Sequence, residues 1–209
     1  MPKRRKVANL LGLAVLSYLT QRPMHPYQMA RTLLDHEDAR SIKFSQGSLY
    51  MVVEQLARAG FIVEQETSRD GRRPERTVYT LTDAGRAEAR DWLRELVQSP
   101  QHEYPQFVAA LSLVAALPPG EVVELLGRRA DRLREERAEI RDHIDRWVAR
   151  GLHPLYLVEE EYRIAVLDAE SAFVDWFIER IQNPETGWAR PWAKSHGEQP
   201  VTDEHKRKS

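Results

Sequence analysis

The stretch from Ser45 to Thr82 decides how this chain folds: SQGSLYMVVEQLARAGF, then IVEQETSRDGRRPERTVYTLT. Ser45 is a good N-cap, because its hydroxyl can accept from an N–H two or three residues on. Leu49, Val52, Val53 and Leu56 then recur at the spacing of a helix with one buried side. Gly60 is the expected stop, at the position after the cap where glycine is favoured. Phe61 to Glu66 and Thr77 to Leu81 are rich in strand formers, and Asp70-Gly71 between them suits a hairpin. The tip carries Arg69, Arg72, Arg73 and Arg76. A helix followed by a basic hairpin is the layout of a winged helix-turn-helix, in which the helix end enters a major groove and the wing lies along phosphates.

Working outward, Asn9 to Gln21 is an apolar helix ended by Arg22-Pro23, since a residue before proline is pushed out of the α region. A second helix starts at His25-Pro26, with the proline in a first-turn position where its missing N–H costs nothing. Ile42 and Phe44 are expected to form a short strand that pairs with the wing. Thr82 caps a helix from Asp83 to Val97, with Ala84, Ala87, Trp92, Leu93 and Leu96 as its buried side. Ser99 to Pro105, with two prolines, is the expected domain boundary.

Beyond it the chain reads as all helix. Phe107 to Leu117 is a short apolar segment, Glu121 to Arg150 a long charged helix threaded by Val122, Leu125, Leu126, Leu133, Ile140, Ile144 and Trp147. Leu155 to Gln182 is the last helix, with Leu155, Val158, Tyr162, Ala165, Ala169, Ala172, Phe173, Trp176 and Phe177 along its apolar side. The fold class is therefore mainly α with a small β-hairpin. A winged helix-turn-helix over 1–98 precedes an all-helical dimerisation and effector domain over 99–187. The polar stretch 188–209 reads as a disordered tail.

Charge is unevenly spread along these 209 residues, whose net charge is −1. Met1 to Thr80 carries 13 Lys/Arg against 8 Asp/Glu, and Leu81 to Ser209 carries 18 against 24. A basic head on an acidic body suits a nucleic-acid binder. With no cysteine, disulfides, thiolate catalysis and cysteine-based zinc sites are excluded. The histidines are scattered, and neither a nucleophile elbow nor a phosphate-binding glycine loop occurs. No catalytic residue, metal or cofactor is expected. The longest apolar run, Leu10 to Leu19, is about half of a bilayer span. The expectation is a soluble intracellular protein without a membrane partner.

The candidate DNA contacts are Lys43, Gln46, Ser48, Tyr50, Arg69, Arg72, Arg73 and Arg76. Gln46 can pair with an adenine edge, the hydroxyls of Ser48 and Tyr50 can reach phosphates, and arginine can hold phosphate oxygens in pairs. A wing arginine can instead enter a narrow minor groove. Lys3, Arg4, Arg5 and Lys6 form a basic stub that is either a groove-seeking arm or a solubilising end. The C-terminal aromatics are core or interface, or else line a pocket for a planar effector, for which Trp92, Trp147, Tyr162, Phe173 and Trp176 are the candidates. The alternative to a DNA-binding regulator is a winged-helix protein-interaction module.

Asn9-Leu10-Leu11-Gly12-Leu13-Ala14-Val15-Leu16, Met24-His25-Pro26-Tyr27-Gln28-Met29, Gly47-Ser48-Leu49-Tyr50, Leu56, Gly60-Phe61 and the run from Gly71 to Gly85 form a set in order along the chain. In these residues the chain resembles the PadR family of bacterial transcriptional regulators, which implies a cytoplasmic, nucleoid-associated protein. The resemblance also implies a homodimeric repressor of operator DNA, often released by an effector, with a helical C-terminal domain as in the longer members. It places Gly47 to Tyr50 on the recognition-helix start and Arg72 to Arg76 on the wing. Many members have Gly-Arg-Pro in the wing, and here a second arginine intervenes at Arg73. An effector bound between the helical domain and the heads would alter the spacing of the recognition helices.

Overall fold

The computed structural model describes residues 5–65, 77–185 and 187–195. Its first half is built on α1 (Leu10–Leu19), whose N-terminus is closed by the Asn9 side chain accepting from the Leu11 N–H. Leu11, Val15 and Leu16 are fully buried and Leu13, Ala14, Tyr18 and Leu19 nearly so, because α1 is covered on several sides, with α3, α4 and β2 packed against it. Helix α2 (Pro26–Asp35) opens with a capping box of His25 and Gln28. A 3-10 turn, Asp38–Arg40, leads to α3 (Gln46–Arg58), which buries the expected Leu49, Val52, Val53 and Leu56. Gly60 adopts φ 78°, the left-handed turn that the helix end requires.

Strands β1 (Ile62–Gln65) and β2 (Val78–Leu81) pair antiparallel, with Ile62 opposite Leu81 and Gln65 opposite Val78. The third segment at this sheet is not Ile42 to Phe44, as the sequence suggested. Met24 exchanges both backbone hydrogen bonds with Tyr79, each 3.0 Å. Ile42 instead gives its N–H to the Asp38 carbonyl, closing the 3-10 turn, and with Phe44 covers the core.

Helix α4 (Asp83–Gln98) starts at Thr82, whose hydroxyl oxygen accepts from the Gly85 N–H and whose O–H faces the Gly60 and Phe61 carbonyls. A Cβ on Gly85 would stand 2.0 Å from the Phe61 oxygen, so only glycine permits this approach. That contact fixes the rotation of α4. Gly85, Ala89 and Trp92 point inward, while Ala84, Ala87, Leu93 and Leu96, expected inside, are exposed.

The chain divides into two compact units, 1–103 and 104–209. The second contains α5 (Gln106–Leu113), α6 (Pro119–Ala149), α7 (Val158–Gln182) and α8 (Ala189–Ser195). Pro119 begins α6 in the first turn, and Gly151 at φ 88° turns the chain after it. Helices α6 and α7 pack against each other through Val122, Leu126, Leu133, Ile140 and Ile144 on one and Ile164, Leu167, Val174, Phe177 and Ile181 on the other. Ion pairs Arg129–Glu170, Arg137–Asp168 and Arg141–Glu161 link the same two helices. The apolar side of α7 read from the sequence is thus mostly its outer side: Leu155, Val158, Tyr162, Phe173 and Trp176 are exposed. Helix α8 corrects the expected disordered tail at its start, since Trp188 and Trp192 pack on Phe177. Residues 196–209 lie outside the described residues.

Candidate nucleic-acid interface

The exposed side of α3 is set by its own cap. Ser45 Oγ accepts from the Ser48 N–H at 3.2 Å, and Ser48 Oγ accepts from the Ser45 N–H at 2.9 Å. Ser48 then donates its hydroxyl to the Ser45 carbonyl at 2.7 Å. This reciprocal box fixes where the helix starts. The Ser48 hydroxyl, one of the expected contacts, is thus part of the cap.

Gln46, Tyr50 and Met51 remain on the open face, Tyr50 at 48% and Met51 at 54% exposure. Lys43, just upstream, is exposed with no ion-pair partner among the described residues. One turn further on, Arg58 pairs with Glu54 at 3.6 Å. Met51 lies off the Leu49–Val52–Val53–Leu56 stripe and is large and apolar.

The base of the hairpin is well fixed. Burial and then the neighbouring Glu64 carboxylate raise the Tyr79 hydroxyl above its ordinary range. Arg69, Arg72, Arg73 and Arg76 lie outside the described residues, as do Lys3 and Arg4. The rest of the basic stub is not a free arm. The Arg5 guanidinium donates to Glu88 at 2.6 Å and to Glu95, and lies 5.1 Å from the Trp92 ring centre. Burial works to lower its pKa, but the two carboxylates outweigh it and raise the value. Lys6 sits over the Phe61 ring. Near the turn before α3, Tyr18 donates to Asp38, and burial followed by that carboxylate drives its hydroxyl well above the usual tyrosine range.

The five candidate effector residues fall in both units, Trp92 in the first and Trp147, Tyr162, Phe173 and Trp176 in the second. Trp92 is a core residue of the first unit beneath Arg5. Trp147 lies at the far end of α6 beside His143 and Arg150. Tyr162 and Phe173 are eleven residues apart on α7, roughly 16 Å at the helical rise. Phe173 and Trp176 are together, in a ring cluster with Phe107, Phe177 and Trp188. A groove of about 730 Å³ lies between α5 and α6, with Phe107 of that ring cluster in its lining. Leu111, Val114, Leu117, Leu125 and Leu126 line it, with Arg128, Arg129 and Arg132 at its edge. Arg129 is held by Glu170 at 2.5 Å and lies 3.6 Å over Phe107. Arg128 and Arg132 have no ion-pair partner among the described residues.

Among the described residues no cluster of three histidine, aspartate or glutamate side chains could hold a metal ion, and no helix is long and apolar enough to cross a membrane.

Comparison with known proteins bears on this geometry. Residues 15–91 match the model of the transcriptional regulator PadR-like family. A curated relative, the negative transcriptional regulator PadR of Bacillus subtilis (strain 168), is 30% identical over 102 residues, or 49% of this chain. The match spans 53% of that relative, about half its length. Bacillus subtilis PadR in complex with operator DNA superposes with a TM-score of 0.59 at 19% identity, covering 79% of this chain and 99% of that one. The same protein in complex with p-coumaric acid gives 0.60 at 18% identity, covering 80% and 99%. The Vibrio cholerae virulence activator AphA gives 0.57 at 16% identity, covering 79% and 94%. These structural likenesses establish a shared fold that extends beyond the family match.

Proposed function

We propose that this chain, whose residues 15–91 match the PadR-like family of transcriptional regulators, is a homodimeric repressor that binds operator DNA through its first unit and responds to a small aromatic acid. The observation that carries the reading is the open face of α3. Its start is fixed by the Ser45–Ser48 box, Gln46, Tyr50 and Met51 are presented outward, and Lys43 stands beside them. The arginine-rich stretch 69–76 between β1 and β2 supplies further cations. Gln46 can read an adenine edge, and the arginines can hold phosphates.

Self-association follows from α7. Its outer side exposes Val158, Tyr162, Val166, Ala169, Phe173 and Trp176, spaced three or four residues apart along one stripe. An apolar stripe of this length left in water marks an interface. A two-fold dimer predicts a near-palindromic operator, with half-sites about one helical turn or a multiple apart. Repression comes from the name of the curated relative, and an aromatic acid from the p-coumaric acid complex. The α5–α6 groove fits such a ligand, with apolar walls for the ring and Arg128 and Arg132 for the carboxylate.

The test is a gel-shift titration on a duplex selected by the protein from its host genome. Tyr50→Phe and Arg73→Ala are each expected to weaken binding by about 1–3 kcal/mol, the scale of a hydrogen bond to a charged group. Unchanged affinity for both variants would remove these residues from the interface.

A further inference from the structure

Four glycines of the first unit lie in the described residues, and three have a reason inside the fold. A Cβ on Gly85 would collide with the Phe61 carbonyl, one on Gly12 would press Val7 Cγ1 at 3.1 Å, and Gly60 needs its φ of 78°. Gly47 has neither reason. Its φ is not in the left-handed region, and a Cβ built on it meets no heavy atom within 4 Å. Glycine is the poorest helix former after proline, so Gly47 weakens the start of α3 with no internal compensation.

An open glycine is not a signal by itself, since Gly120 and Gly127 in α6 are equally open. The surroundings of Gly47 make the difference. Gln46, Gly47, Tyr50 and Met51 fall at i, i+1, i+4 and i+5, which places them on one side of the helix. Tyr50 and Met51 are large, half-exposed side chains facing away from the core. Gly47 is therefore a low point in a face whose other members project outward. One use of a glycine with ordinary backbone angles is to let another chain come close.

We propose that Gly47 is a clearance position, the point where the sugar–phosphate backbone of bound duplex occupies the volume that a side chain would fill. It is a positioning residue: the approach it permits sets how far Gln46, Tyr50 and Met51 reach into the groove. The inference rests on the DNA-binding reading above. It reverses the usual expectation for a glycine substitution, because filling the position strengthens the fold and weakens binding.

The full-length chain is compared as wild type, Gly47→Ala, Gly47→Leu and Gly120→Ala. Gly120 is the matched control, being likewise the second residue of its helix with open surroundings. The probe is a duplex that the wild-type protein selects from a randomised pool, read by fluorescence anisotropy beside a thermal melt. Gly47→Ala and Gly120→Ala are each expected to raise the melting temperature by about 1–4 °C. Gly47→Ala is expected to lower duplex affinity about tenfold or more, Gly47→Leu further, and Gly120→Ala not at all. Wild-type affinity in Gly47→Ala would overturn the proposal, and so would a lowered melting temperature, which would reveal an internal need for the glycine. If the wild-type protein selects no duplex, the DNA-binding reading itself falls.

Discussion

Helices α3 and α7 both carry an apolar stripe that is visible in the sequence, yet they use it in opposite ways. In α3 the stripe Leu49, Val52, Val53 and Leu56 is the buried side, and the remaining face is free for contact. In α7 the stripe with the larger rings, Val158, Tyr162, Phe173 and Trp176, is the open side. The buried side is a second stripe, Ile164, Leu167, Val174, Phe177 and Ile181, pressed on α6. A helix that is apolar on one side belongs to a surface. One that is apolar on two sides has a neighbour on each.

This contrast can be broken by substitution, and the largest effect belongs to the inner side of α7. Phe177→Ala removes a buried ring stacked with Trp192 and is expected to cost about 3–5 kcal/mol in urea unfolding of the second unit. A loss no greater than that of an exposed residue would mean that the α6–α7 packing is wrong. On the outer side, Tyr162→Lys should leave the fold of the protomer within about 0.5 kcal/mol. It should raise the dimer dissociation constant about 30-fold or more, or about 2 kcal/mol, measured by sedimentation equilibrium. An unaltered dimer would place the interface elsewhere.

The first unit offers a smaller effect that sharpens the same comparison. There the basic stub is tied inward, so Arg5→Met is expected to cost about 1–3 kcal/mol of stability through the loss of Glu88 and Glu95. Its effect on duplex affinity should be small beside that of Arg73→Ala. If Arg5→Met instead left stability intact and cut DNA binding, the residue would be an arm contact after all.

How much of this could be read from the chain differs between the two helices for a physical reason. Local chemistry was legible: the Ser45 and Thr82 caps, the Gly60 stop and the single stripe of α3 each depend on residues a few positions apart. What was not legible depends on partners distant in sequence. Met24, not Ile42, meets Tyr79, because the N–H of Ile42 is already used within its own turn. The rotation of α4 follows from one close approach of Gly85 to Phe61. In α7 periodicity alone does not choose between two apolar sides, and the more aromatic one, read as core or interface, is the exposed one. Within the contact set, Arg5 was legible as a cation, whereas its partners Glu88 and Glu95, distant in sequence, were not.

The most direct measurement is the affinity of wild-type protein for its selected duplex as salt is raised from about 50 to 200 mM, by fluorescence anisotropy. A dimer using the first unit of each copy on about 6–10 phosphates should lose about three to five orders of magnitude in affinity over that range. Binding that is absent at the low end, or indifferent to salt throughout, would contradict the assignment of this surface to DNA.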